Sequence, residues 1–229
     1  MGLTCLLCQN QFKELNLYQL FRQKQQRLIC YDCYQQFENI QKNTTRCQFC
    51  QKKLVAEAVC NDCRRWQIIY PNDCLKNTAC YQYNLELKNL IRRYKRYHDA
   101  SSCEIFVALI ESELKKKQYD YYVCLPSSPK HSQERQFDHI ELIFSKIIKP
   151  TSILTYVEQQ HYQAQGEKNR QERLLTTQMF TCQDFKFDKY TRILLLDDIY
   201  TTGRTLYHAR DAIRKVGFLG QIDSFTIAR

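Results

Sequence analysis

The sequence predicts an α/β fold, a parallel sheet flanked by helices, preceded by a small zinc-binding module. Three observations carry the prediction. Eight cysteines form four CxxC pairs within the first 63 residues. Beyond them, short apolar runs alternate with segments of helical period, the pattern of a parallel sheet covered on both faces. One run, Ile193–Leu196, ends in two adjacent aspartates and a Thr/Gly turn.

The pairs are Cys5/Cys8, Cys30/Cys33, Cys47/Cys50 and Cys60/Cys63. Two intervening residues form a tight knuckle that aims both sulfurs at one point, and four thiolates at ~2.3 Å complete a tetrahedral zinc site. Eight ligands imply two structural zinc ions, with consecutive or interleaved pairs as partners; consecutive pairing is preferred. Disulfides would also use an even number, but Met1-Gly2-Leu3-Thr4-Cys5 has no basic region followed by an apolar run, so no secretory signal is expected. A thioredoxin-like pair would explain one CxxC and not four. So short a segment cannot bury a sizeable core, and metal binding would supply much of its folding energy. Residues 1–70 are assigned to this module and 71–229 to the larger domain. Cys74, Cys80, Cys103, Cys124 and Cys182 lack such spacing and read as buried small hydrophobes.

The larger domain reads in order as follows. Asn72–Cys80 is a connector, and Cys80–Tyr83 shows a short apolar-polar alternation. Leu85, Leu87, Leu90, Ile91 and Tyr94 have helical spacing, as do Ile105, Phe106, Leu109, Ile110 and Leu114. Tyr121–Leu125, halted by Pro126, suits a buried strand. Phe137, Ile140, Phe144 and Ile147 return to the helical period, and Ile153–Val157 reads as a strand. Gln159–Arg173 is polar and charge-rich, a long mobile loop. Ile193–Leu196 is the clearest buried strand. Leu206–Val216 is a helix stopped by Gly217, and Ser224–Ala228 is a last strand.

Hydrophobic residues make up 44% of the 229, charged residues 25%, with 5 Gly and 4 Pro, which excludes collagen-like and disordered chains. The net charge of +10 favours polyanionic partners. It is shared: residues 1–80 carry 11 basic against 6 acidic side chains, so the cysteine module is not singled out as the polyanion site. No run approaches the ~18 apolar residues of a membrane helix. A cytoplasmic protein without membrane insertion is expected.

The chemistry concentrates in Ile193-Leu-Leu-Leu-Asp197-Asp198-Ile199-Tyr200-Thr201-Thr202-Gly203-Arg204-Thr205. A buried strand delivers two carboxylates at its C-terminal end, the edge where parallel sheets bind ligands. The turn that follows offers backbone N–H groups, hydroxyls and a helix N-terminus, which together cradle a phosphate. Acids facing that phosphate would repel it. Facing hydroxyls one ribose length away, they make sense, so the stretch reads as a site for a ribose 5-phosphate group.

This thirteen-residue pattern resembles the signature of type I phosphoribosyltransferases, which bind phosphoribosyl pyrophosphate (PRPP). The resemblance implies that Asp197 and Asp198 hold the ribose 2- and 3-hydroxyls, and that Thr201, Thr202, Gly203, Arg204 and Thr205 hold the 5-phosphate. Purine-salvage relatives carry an Asp where this chain has Thr201, which argues against purine salvage. Taken with the four CxxC pairs, Arg93-Tyr94-Lys95-Arg96-Tyr97-His98-Asp99 and Pro126-x-x-Pro129…Arg135-Gln-Phe137, the whole chain looks like the ComF family of competence proteins. It departs at Arg135-Gln136-Phe137-Asp138-His139, where that family usually reads Arg-Gly-Phe-Asn-Gln.

The ComF resemblance implies a role in natural transformation, handling incoming single-stranded DNA, with a PRPP-binding domain and a competence helicase as a possible partner. The alternative it leaves is a Mg²⁺-dependent phosphoribosyltransferase acting on an unidentified acceptor, without an assigned catalytic residue. Lys95, Arg135, Lys168, Arg170 and Arg173 are candidate contacts for pyrophosphate or DNA. Lys88–Tyr97 interleaves cations with aromatics, as grooves for single strands do, although on a helix its cations could equally form a wet face around an inward Tyr94.

Overall fold

Two long strands buried on both faces decide the architecture. The computed structural model describes residues 2–13, 28–40, 44–96, 102–129, 137–157, 178–188 and 190–229. In chain order the elements are β1 (Leu3–Thr4), β2 (Gln11–Phe12), α1 (Tyr31–Gln35), α2 (Asn61–Ile69), β3 (Asn77–Tyr81), α3 (Leu85–Arg96) and α4 (Ser102–Leu114). There follow β4 (Tyr121–Cys124), α5 (His139–Phe144), β5 (Leu154–Tyr156), β6 (Phe180–Cys182), β7 (Arg192–Ile199), α6 (Arg204–Lys215) and β8 (Gln221–Ala228).

Four strands form a parallel sheet in the order β3-β8-β7-β4. The two-residue period of a strand sends neighbouring side chains to opposite faces. Leu194 and Leu196 therefore join Phe225 and Ile227 under α3, α4 and α5, with Leu87, Phe106, Ile110 and Phe144. Ile193 and Leu195 point the other way, to Leu206, Ala209 and Ile213 of α6 and to Trp66. Both faces are covered, as the pattern required, and the α/β reading holds.

The connector predicted at Asn72–Cys80 instead contains β3. Its apolar signal is diluted by Asn77, a buried polar residue whose amide donates to Thr226 Oγ1 at 3.0 Å and accepts from Ser224 Oγ at 2.9 Å. A buried polar group in a sheet is tolerated when it is paired in this way. The outer edge of β3 is also occupied. Asn77 N–H donates to Phe49 O at 2.6 Å, Ala79 N–H to Gln51 Oε1 at 2.6 Å, Ile40 N–H to Cys80 O at 2.9 Å and Gln82 N–H to Glu38 O at 2.8 Å. The cysteine-bearing segments thus cover a sheet edge that would otherwise present unpaired backbone groups.

Ile153–Val157 does yield a strand, but β5 pairs antiparallel with β6 in a separate two-stranded sheet. The helix expected around Phe137–Ile147 is shorter, beginning at His139 where Asp138 caps it. Of the five remaining cysteines, Cys80 and Cys103 are buried as expected, whereas Cys74, Cys124 and Cys182 are only partly so. The loop predicted at Gln159–Arg173 lies outside the described residues. Among those described, no helix is long and apolar enough to cross a membrane.

Candidate functional site

The structure groups the eight paired cysteines consecutively, Cys5/Cys8/Cys30/Cys33 and Cys47/Cys50/Cys60/Cys63, with all four ligand atoms of each group within 4.8 Å of one another. Both groups are built alike. The first pair lies on a knuckle that closes through a residue of positive φ, Gln9 at 64° and Gln51 at 63°. In each, that residue's N–H donates to the carbonyl of the first cysteine at 2.9 Å. The second pair opens a helix, with Cys30 and Cys60 as the N-caps of α1 and α2. The recurrence read as bare CxxC repetition is therefore a repeated three-dimensional unit.

The donor set fits zinc. Sulfurs of Cys8 and Cys30 stand 3.8 Å apart, and those of Cys50 and Cys60 3.6 Å. A tetrahedron with ~2.3 Å metal–sulfur bonds has an edge of ~3.8 Å. Backbone N–H groups already point at sulfur: Leu7 and Cys30 at Cys5 Sγ (3.4 and 3.3 Å) and Cys60 at Cys47 Sγ (3.4 Å). Burial opposes ionisation of Cys5, yet hydrogen bonds from the Cys8, Cys30 and Leu7 backbone prevail and lower its pKa to about 7. All four sulfurs of the second group are buried, while Cys8 leaves the first exposed on one side.

Across the sheet lies a cleft of about 430 Å³, at the C-terminal ends of β4 and β7. Asp197, Asp198, Thr201, Thr205 and Lys95 line it together with Ser127, Ser128 and His139. The backbone N–H of Asp198 donates to Asp197 Oδ1 at 2.8 Å, which orients the Asp197 carboxyl. Lys95, carried on α3, forms an ion pair with Asp198. Burial opposes the charge of Asp198, but His139 and the Lys95 ammonium overcome it and hold its carboxyl well below the usual range. Burial and the neighbouring Asp198 push Asp197 the other way, well above that range. The two adjacent carboxyls thus sit in contrasting electrostatic surroundings.

His139 was not singled out by the sequence reading. Its Nε2 lies 3.6 Å from Asp198 Oδ2, and its Nδ1 is 3.0 Å from Ser127 Oγ. The signal was present at the departing motif Arg135–His139, but only the fold brings His139 against Asp198 of β7. Asp138 does the placing. Its Oδ1 accepts from Ile140 N–H (2.9 Å) and Glu141 N–H (3.2 Å) at the start of α5, and its Oδ2 from Ser127 N–H (2.8 Å). Tyr94, fully buried, ties α3 to the same point by donating to His139 O at 2.9 Å.

The turn between β7 and α6 is closely constrained. Gly203, the N-cap of α6, has φ 85° and ψ −3°. A Cβ there would sit 2.3 Å from Tyr200 Oη and 2.6 Å from Tyr200 Cζ, so both the dihedral and the space demand glycine. Gly203→Ala is expected to cost about 1–3 kcal/mol from the backbone alone. The clash with Tyr200 adds to that. A urea midpoint equal to wild type would contradict this account of the turn. Thr202 faces away from the cleft toward Trp66, whose Nε1–H donates to Thr202 O at 2.7 Å. Arg204 turns along its helix, its Nε donating to His208 Nε2 at 3.4 Å.

Of the five proposed pyrophosphate or DNA cations, Lys95 stands in the cleft, and Arg135, Lys168, Arg170 and Arg173 lie outside the described residues. On α3, Lys88 and Arg92 are exposed while Arg93 reaches the Leu7 and Leu6 carbonyls of the first knuckle at 3.4 and 3.5 Å.

No family model matches the chain. Comparison with curated proteins finds it 29% identical over 233 residues to the competence protein ComFC of Bacillus subtilis (strain 168), covering 99% of this chain and 95% of that protein. It is 28% identical over 230 residues to ComFC of Streptococcus pneumoniae (strain ATCC BAA-255 / R6), covering 99% and 100%. The likeness runs end to end. It spans the cysteine groups and the cleft alike, and so supports the resemblance to the ComF family read from the motifs.

Proposed function

We propose that this chain is a ComFC-like competence protein that handles incoming single-stranded DNA in the cytoplasm and binds PRPP with Mg²⁺ in the cleft above β7. The observation that carries the ligand reading is the pairing of Asp197 and Asp198 with a phosphate-sized turn at one sheet edge. In this reading the carboxyls take the ribose hydroxyls, and the N–H groups opening α6 take the 5-phosphate, favoured by the positive end of a helix dipole. Lys95 is a cation already held at the cleft by Asp198 and is suited to the pyrophosphate. Bound Mg²⁺ would offset the charge of the leaving group and act as a Lewis acid. The competence role rests on the end-to-end similarity to ComFC proteins. A competence helicase remains the proposed protein partner.

DNA contact is assigned to the cationic surface, including the exposed Lys88 and Arg92 of α3. Calorimetry with PRPP, with and without Mg²⁺, and with single-stranded DNA over a salt series tests both halves. PRPP should bind only with Mg²⁺. DNA affinity should fall as log Kobs against log salt with a slope of about −0.7 per phosphate neutralised. Mg²⁺-independent PRPP binding, or a DNA affinity indifferent to salt, would overturn the corresponding half.

A second reading, transfer of the phosphoribosyl group to an acceptor base, is favoured by His139. It is a titratable group beside Asp198, where the sequence reading assigned no general base. In that reaction the bond from ribose C1 to pyrophosphate breaks, a bond from C1 to the acceptor nitrogen forms, and His139 is placed to take the acceptor's proton.

A further inference from the structure

The second cysteine group is joined to the cleft turn by two independent links. The first runs through Arg229. Its Nε and Nη2 donate to Cys50 Sγ at 3.3 and 3.2 Å, and its Nη1 donates to Tyr200 O at 3.0 Å. The guanidinium also lies 5.1 Å from the centroid of the Tyr200 ring. Tyr200 is fully buried and fills the space beneath Gly203, so the position of its ring sets the height of the turn. Its own N–H is held by Ala228 O at 3.0 Å, one residue before Arg229.

The second link runs through Trp66. Cys60 and Cys63 sit on the first turn of α2, and one turn later Trp66 donates its indole N–H to Thr202 O. Its ring stacks on Tyr207 of α6 at 4.1 Å, and Tyr207 stacks in turn on Tyr70 at 5.1 Å. Tyr207 Oη accepts from Leu75 N–H at 3.2 Å, which anchors the stack to the chain entering β3. One face of the turn is thus gripped from α2 and its underside from Arg229.

Four thiolates around a divalent metal leave a net charge of about −2, and a buried centre of that kind needs donors to its sulfurs. Arg229 is such a donor. A charged guanidinium bonded to a thiolate is held far more firmly than one facing a protonated thiol.

We infer that the second cysteine group is the rigid support of the phosphate turn, with Arg229 and Trp66 as the positioning residues that couple metal at Cys47, Cys50, Cys60 and Cys63 to the shape of Thr201–Thr205. The inference concerns the turn itself; only its consequence for PRPP rests on the function proposed above. Metal lost from this group loosens the turn without touching the residues that line the cleft. By linkage, an anion bound at the turn raises the metal affinity of this group.

Two variants of the full, zinc-loaded chain test it. Trp66→Phe keeps the ring stack and removes the N–H. Arg229→Gln removes the charge and keeps an amide. Hydrogen exchange of the amides at Thr202–Thr205 is measured against those of Leu194–Leu196 in the same sheet. Trp66→Phe, which loses one hydrogen bond, is expected to speed exchange at the turn by about five- to tenfold; Arg229→Gln, which loses the guanidinium's bonds to Cys50 and Tyr200, should speed it at least as much, and both should leave the strand unchanged. PRPP affinity should fall by a similar factor of about five to ten. Zinc content of Trp66→Phe should stay at the wild-type value. Turn exchange within about twofold of wild type in both variants would overturn the inference. Cys60→Ser should reproduce the loosening; if that variant does not fold, the other two still decide. A turn that loosens as stated in a protein that binds no PRPP leaves the support standing and removes the ribose reading instead.

Discussion

Replacing Asp197 and Asp198 together by Asn is expected to lower PRPP affinity about 100-fold. Ionised Asp198 would offer the ribose diol a hydrogen bond of the charged class, worth about 1.5–3 kcal/mol, and Asp197, pushed toward its neutral form, one of about 0.5–1.5, a sum that brackets the ~2.8 kcal/mol of a hundredfold change. The structure also explains why Asn is the informative substitution. It preserves the shape and lets position 197 still accept from the N–H of residue 198, as Asp197 now does at 2.8 Å. What disappears is the charge that Lys95 and His139 stabilise on Asp198. Lys95 keeps access to water, so it is not left as a buried orphan. The double variant should therefore fold, as circular dichroism would show, while calorimetry records no heat with PRPP and Mg²⁺. A folded double variant that binds PRPP normally would end the ribose assignment.

Stripping both cysteine groups of metal is expected to unfold the segments that carry them and to lower the stability of the whole chain. A structural zinc contributes about 10–16 kcal/mol of apparent free energy in small zinc modules, comparable with the ~5–15 kcal/mol that separates an entire domain from its unfolded state. The two groups should not behave alike. Cys8 is exposed, so the first should surrender metal to a chelator sooner than the second, whose sulfurs are all buried. Loss from the second reaches deeper, because Cys47, Cys50, Cys60 and Cys63 are all buried in the same core as Leu195, Tyr207 and Ile213, whereas of the first group only Cys5 and Cys33 are buried in the core of Leu194. Zinc release should be biphasic at two equivalents per chain, with the late phase accompanying collapse of the main thermal transition. A melting profile unaffected by complete metal removal would refute the structural role of the cysteines.

The parts of the fold that were legible are those whose signal is local. Ile193–Leu196 is an unbroken apolar run, as a strand buried on both faces requires, and the helices of Leu85–Tyr94 and Ile105–Leu114 display their period outright. β3 was missed because its buried side chains include Asn77, which is acceptable only next to Ser224 and Thr226, residues far away in sequence. The strand at Leu154–Tyr156 was found, but its partner Phe180–Cys182 is too short to announce itself. His139 escaped for a related reason. A lone histidine has no meaning until the chain sets it beside Asp198.

The sequence by itself determined the chemistry on offer: eight thiols at metal-binding spacing, two acids at the end of a buried strand, and a glycine-bearing turn opening a helix. These are properties of contiguous residues, and spacing along a chain encodes them fully. Only the tertiary structure decided how they are joined: which cysteines share a site, that Lys95 and His139 converge on one carboxylate, and that Arg229 and Trp66 tie the second thiol group to the turn. Such contacts bridge residues well separated in sequence, by 136 positions for Trp66 and Thr202 and 179 for Cys50 and Arg229, and their energy exists only once packing against the sheet has brought them within bonding distance.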